Sequence, residues 1–313
     1  MASSEPAPES NEPLPEAEAP YRNLWMPLVV VPGMIVVVLV LVFLAFGGIG
    51  GSEPSIDENL RVLVSGGANE RTQAAFSLSQ KIASNSRALL DGEEVPWPVP
   101  EDLGARVREA YAATSEGDPT VRFVLASLQA QLGDEQGVPH LVELLELPDS
   151  EDEDAQLRFQ VLVSLGTSGD PRATPAVLGF ADHPDGGLRS IVAIVLQKLP
   201  GEAVRPALEG LTRDPELEVR ANAAISLAKL GDPAGAGVLL SLLDPEVYRA
   251  ENEADRRRFR SGEIVSQSRR KGLEALRKLG RPADREAVLA WREDPDLEFR
   301  GELLDALERW GAE

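Results

Sequence analysis

The chain has 313 residues, 31 Lys or Arg against 52 Asp or Glu, a formal net charge of −21 and no cysteine. So acidic a chain is repelled by nucleic acid and by anionic lipid. The missing thiols exclude disulfides, Cys-zinc sites, iron–sulfur clusters and a thiol nucleophile.

The two histidines, His140 and His183, are too few for a His-built metal site or a catalytic triad. Aromatic residues are 5% of the chain while Leu, Ala and Val abound, which predicts helices packed on small aliphatic side chains. The length allows about two domains or one long repeat array.

Residues 1–23 read as a disordered acidic tail rich in Pro and Glu, able at most to serve as a docking peptide. Composition then changes abruptly. Between Asn23 and Ser52 there is no charge, and Leu24 to Phe46 is an apolar run of 23 residues. As a helix it spans about 34 Å, enough for a hydrocarbon core of about 30 Å. Pro32 and Gly33 allow a kink, which a membrane helix tolerates.

Tyr21 and Trp25 stand at the N-side boundary, where amphipathic rings favour the interface. A cleaved signal peptide needs a basic start and a shorter apolar core, whereas here five Glu precede Arg22. The expectation is one uncleaved transmembrane helix at 24–46. Arg22 against a C side whose nearest base is Arg61 favours a cytoplasmic N-terminal tail and an extracytoplasmic C-terminal domain. Residues 47–56, with four glycines in the first five, read as a flexible linker.

From residue 57 onward the chain repeats. Arg71, Arg122, Arg158, Arg189, Arg220, Arg269 and Arg300 each open a similar segment, most clearly Val219-Arg220, Ala223-Ala224 and Leu230-Gly231-Asp232. From Arg122 onward the gaps are 36, 31, 31, 49 and 31, so the unit is about 31 residues with insertions. Each unit reads as a short apolar helix, a polar turn and a second helix that carries the Arg. Asp-Pro pairs at Asp118-Pro119, Asp214-Pro215 and Asp294-Pro295 are expected to cap the second helix. Gly after the last turn is expected to close it.

These residues resemble HEAT repeats, and in particular the short kind named after the phycobilisome (PBS) lyases, whose signature is Asp-Pro, Val-Arg, Ala-Ala, Leu and Leu-Gly-Asp. The resemblance implies an all-α protein, an α-solenoid of about seven helical hairpins over 57–313, each unit covering the next. It implies little about activity, because fold does not fix function.

Three features stand outside the repeat. An excess of 18 residues lies within 244–268, and from Arg256 to Lys271 seven basic residues meet one acid, Glu263. Arg256, Arg257, Arg258 and Arg260 are therefore candidate contacts for an acidic protein segment or a phosphate-bearing ligand; the plainer reading is a solvated helix extension. A second insertion, near 85–100, ends with Pro96, Pro98 and Pro100 around Trp97. This predicts an extended strut, with Trp97 either docking a partner or fixing the strut to the solenoid. Asp149 to Asp154 holds five carboxylates in six residues but lacks the glycine of an EF-hand loop, so a solvated loop is expected rather than a calcium site. The recurrent Arg residues are expected to pair with Asp or carbonyls between units.

No phosphate loop and no Gly-x-Ser-x-Gly elbow is present. The expectation is a non-catalytic, membrane-anchored scaffold that binds other proteins along the solenoid, with no cofactor and no metal. A regulatory subunit of a membrane transporter or protease is the alternative. A bilin lyase-like enzyme, implied only by the resemblance, is a third.

Overall fold

The computed structural model describes residues 54–91, 94–114, 118–147, 151–249 and 253–310. All but the first two belong to one compact unit, Ile56–Glu313. The acidic tail, the apolar span at 24–46 with Tyr21 and Trp25, and most of the linker lie outside the described residues. Among the described residues no helix is long and apolar enough to cross a membrane.

The described helices pair in chain order. They are α1 (Ile56–Ser65) with α2 (Ala68–Asp91), α3 (Leu103–Ala113) with α4 (Pro119–Gln131), and α5 (Gly137–Leu145) with α6 (Glu151–Ser168). Next come α7 (Thr174–Leu178) with α8 (Gly186–Leu196), and α9 (Val204–Leu211) with α10 (Leu217–Lys229). The short α12 (Glu253–Arg258) is inserted between α11 (Ala236–Ser241) and its mate α13 (Gly262–Leu279), and α14 (Pro282–Val288) with α15 (Leu297–Glu308) ends the array. Every repeat Arg falls on a second helix. No described residue is in a strand.

Each second helix packs on the next, α2 on α4, then α6, α8, α10, α13 and α15. This stacking needs two apolar faces per helix, and α10 shows how its sequence supplies them. Val219, Ala223 and Leu227 join the core that runs back to Ile56. Leu217, Ala221, Ala224 and Ala228 join a second core that runs forward to Leu307. Small side chains let the helices approach closely. A Cβ on Gly137 in α5 would stand 2.2 Å from the backbone nitrogen of Ala130 in α4, so only glycine fits there.

Joints between repeats are set by Gly-Asp. Gly133, Gly169 and Gly231 take φ of 74°, 64° and 72°, the left-handed closure of a second helix. Asp134, Asp170 and Asp232 then accept from the backbone N–H of Gln136, Arg172 and Ala234, capping the turn that leads into the neighbouring first helix.

The expected Asp-Pro caps divide into two kinds. Asp118 caps α4 by accepting from Thr120 N at 2.9 Å, with Pro119 at the first helical position. Asp214 and Asp294 cap no helix. α10 and α15 begin three residues after them, and each carboxylate accepts instead from the N–H two residues on and from the Arg of the preceding repeat. The acidic run at 149–154 also differs from the expected loop. Its last four residues form the first turn of α6.

The repeat Arg residues serve the turns. Arg71, Arg158, Arg189, Arg220 and Arg269 donate to carbonyls of Gly66, Leu147, His183, Asp214 and Leu243 at 2.7–2.9 Å. These carbonyls belong to the turn of the Arg's own repeat, not to a neighbour as expected; the side chain is long enough to reach back over its own first helical turn. Contact between repeats comes from carboxylates. Arg189 makes a two-pronged pair with Asp214, at 2.7 and 3.0 Å. Arg269, buried, pairs with buried Asp294 and lies 3.7 Å over the Phe299 ring.

His140 in α5 stacks on Tyr111 with ring centroids 3.8 Å apart, and its Nδ1 meets Gln129 Oε1 at 2.7 Å. Burial pushes its pKa below the ordinary histidine value; Arg122 adds to this, while Glu143 and Asp134 oppose it. A depressed folded pKa favours the neutral ring. Its contribution to stability is complete above about pH 6.5, the unfolded value, and is lost as pH falls through the folded one. His140→Phe keeps the stack without the titration. Between about pH 7 and about pH 5 the melting temperature of the parent is expected to fall more than that of the variant. Equal falls, read by circular dichroism, would show that His140 is uncoupled from folding.

Candidate protein-binding face

Stacking consumes two faces of each second helix, and a third stays open. Along it run Phe76, Phe123, Phe159, Ile194 and Ile225, each one or five residues after the repeat Arg of its helix. Phe76 is 66% exposed, Phe159 41% and Ile194 36%. Large apolar side chains repeated along one face, rather than scattered, are the mark of a binding surface.

Two grooves lie between these helices. The first, about 600 Å³, is formed by α2, α4 and α6 and lined by Ser79, Phe123, Ser127, Phe159, Val163 and Ser164 among others. Ser164 donates to Ser127 across its floor at 3.0 Å. The second, about 380 Å³, is formed by α8, α10 and α13. Ile194, Ile225 and Ala275 give it an apolar floor, and Asn222, tied to Ser190 at 2.8 Å, a polar one. Lys229, Lys271 and Lys278 line it with Glu274. A small adjoining recess shares Asn222, Ile225 and Lys271 and is walled by Arg258, Phe259 and Ile264.

The insertion therefore borders the second groove, and it is firmly seated. The Asp255 carboxylate is buried and accepts the N–H of Leu217 with both oxygens at 3.0 Å, an anionic cap on α10 supplied by another helix. Phe259 is buried edge-on against Tyr248, whose hydroxyl donates to Leu242 O at 2.8 Å. Arg258 pairs with Glu218 at 2.8 Å.

The basic run from Arg256 to Lys271 is less available than its sequence implies. Arg269 is the buried repeat anchor, Arg270 pairs with Glu298 and Glu302, and Arg258 with Glu218. Arg256, Arg257 and Arg260 are exposed on or just after α12. Arg256 and Arg260 make no ion pair among the described residues.

Trp97 is half-buried against its own chain. The Lys81 ammonium lies 3.3 Å over its ring, and its backbone exchanges two hydrogen bonds with buried Asn85, at 2.8 and 3.1 Å. Among the two readings of Trp97, this geometry is that of a fixed strut. The described residues bring no three His, Asp or Glu side chains together in a metal-binding arrangement.

The groove lysines were not among the sequence candidates. A signal existed: the chain has five lysines, and Lys229 and Lys278 each lie nine residues after a repeat Arg.

The HEAT repeats family matches residues 108–197 and 178–254, which carry Arg122, Arg158, Arg189 and Arg220. No curated protein matches the sequence. Among solved structures, the complex of CpcE and CpcF of phycocyanin lyase from Nostoc is 18% identical, with a TM-score of 0.46 over 83% of this chain and 96% of that one. Escherichia coli YibA is 17% identical, with a TM-score of 0.46 over 81% and 92%. Human deoxyhypusine hydroxylase is 17% identical, with a TM-score of 0.29 over 82% and 96%. None of the three bears on what this chain does.

Proposed function

We propose that the chain is a non-catalytic HEAT-repeat scaffold that binds other proteins along the open face of its second helices, held at a membrane by residues 24–46. The observation that carries the binding half is the row of apolar side chains on the second helices, with Phe76, Phe159 and Ile194 exposed, Phe123 and Ile225 half-buried, and grooves between them. The anchor rests on the uncharged apolar run of 23 residues. Confinement to a membrane raises the effective concentration of partners embedded in the same membrane. The charge balance about the span supports a cytoplasmic tail and an extracytoplasmic solenoid.

The test combines alkaline extraction of membranes with mild crosslinking in cells. The full chain is expected to stay in the membrane pellet and to form crosslinked adducts with other proteins. A variant lacking 24–46 is expected to become extractable and to lose most adducts. Extraction of the full chain would refute the anchor, and absence of adducts would refute the scaffold.

A narrower reading, a regulatory subunit of a membrane transporter or protease, is favoured by exposed Arg256 and Arg260 on the insertion. Arg256→Glu with Arg260→Glu is then expected to remove a partner's binding with the melting temperature unchanged. Unaltered binding would contradict it.

A further inference from the structure

The second groove has a chemistry opposite to that of the chain around it. In a protein of net charge −21, three of the five lysines line one cleft. All three are exposed, and none makes an ion pair among the described residues. The plainest structural role for lysines on a helix is to pair with carboxylates one turn away. Glu274 is spaced for this, three residues after Lys271 and four before Lys278, yet no ion pair joins it to either. By contrast, Arg258, which walls the adjoining recess, is paired with Glu218, so the structural charge there is satisfied and the lysines are surplus.

We propose that this groove is a docking site for a segment of a partner protein that carries two or more Asp or Glu residues beside an aliphatic or aromatic side chain. This deepens the scaffold reading and rests on it. Charge complementarity commits the occupant to acidic residues, because three cations converge where only one carboxylate stands. Lys271 and Lys278 are two helical turns apart, about 10 Å along α13, so they meet separate carboxylates, with Lys229 on α10 across the cleft. Lysine, a compact charge on a flexible stem, tolerates variation in where those carboxylates lie.

The apolar floor of Ile194, Ile225 and Ala275 seats the hydrophobic side chain, and the volume of about 380 Å³ is that of a small-ligand or side-chain pocket. A polyphosphate chain or nucleic acid suits the site less well. Glu274 sits between the lysines, and the rest of the surface repels a long polyanion. The insertion explains its own position here: α12 and Phe259 wall the recess that continues the groove, so the longer repeat extends the cleft along which a segment lies.

The test selects random dodecapeptides on the full chain in detergent micelles, with parallel binding measurements on single-stranded DNA and on phosphatidylserine vesicles. Enriched peptides are expected to combine Asp or Glu with Leu, Ile or Phe. Their affinity is expected to fall about tenfold or more in Lys229→Glu with Lys271→Glu and Lys278→Glu, and to weaken with salt. Ile194→Ser alone is expected to weaken the same peptides without altering their salt dependence. The helical signal of the triple variant stays at the parental value, and its melting temperature falls only slightly, because the lysines are exposed and unpaired and the new like-charge contacts with Glu274 cost only a few tenths of a kcal/mol.

Enriched peptides without acidic residues, or affinities unmoved by the triple reversal, would overturn the proposal. So would lysine-dependent binding of DNA or vesicles stronger than that of any peptide. If crosslinks from the Phe159 groove persist while the lysine groove fails these tests, the proposal falls and the scaffold reading stands.

Discussion

Arg269→Ala is expected to destabilise the solenoid by about 3–5 kcal/mol, because removing one member of a buried ion pair leaves the other charge buried and unpaired. The stranded group is Asp294, itself buried in the turn of the last repeat. The variant also loses the bond to Leu243 O and the contact over the Phe299 ring. Arg300 occupies the equivalent place in the last repeat, with no later repeat described to supply a carboxylate, and Arg300→Ala is expected to change stability by no more than about 0.5 kcal/mol. Urea unfolding of the two variants gives the comparison directly. Arg269→Met combined with Asp294→Leu should recover much of the loss, since a packed apolar pair replaces a buried charged one at little cost. Equal, small losses for Arg269→Ala and Arg300→Ala would mean that the repeat arginines do not hold neighbouring units together.

Gly137→Ala is the second large effect expected. The added Cβ would meet the Ala130 nitrogen at 2.2 Å and its Cα at 2.6 Å, both backbone atoms that no side-chain rotation can move. α4 and α5 must separate, and overpacking of this kind costs about 1–3 kcal/mol or more. Gly301→Ala is the matched control. It lies within α15 with nothing within 4 Å of the new Cβ, so the gain in helix propensity should stabilise by about 0.5–1 kcal/mol. Opposite signs for the two substitutions, read as shifts in the urea midpoint, are the expected outcome. Destabilisation by both would indicate that α15 is not helical around Gly301.

How much was readable in advance follows from how far each signal reaches along the chain. The seven repeat arginines mark seven second helices because each Arg and the small or aliphatic residues three and four after it lie within one helix, so spacing alone locates them. From sequence, Asp214 and Asp294 read as caps because their Asp-Pro pairs look like Asp118-Pro119. What separates them is the arrival of Arg189 or Arg269 from the preceding repeat. In the basic run at 256–271 several partners are likewise distant in sequence. Arg269 was already spoken for as a repeat anchor, and Arg270 and Arg258 meet carboxylates more than 25 residues away. The lysine groove was the least legible feature. Ile194, Lys229 and Lys278 become neighbours only when α8, α10 and α13 stack side by side, which no local pattern states.

The central claim is that proteins bind the open face of the second helices, and photo-crosslinking amino acids placed singly along the full chain in cells test it most directly. Phe159, Ile194 and Ile225 sample that face; Gly237 on α11 and Glu286 on α14, both exposed, sample the first helices. Discrete protein adducts are expected from the first three positions and none from the other two. Adducts from Gly237 and Glu286 alone, or none from any position, would contradict it.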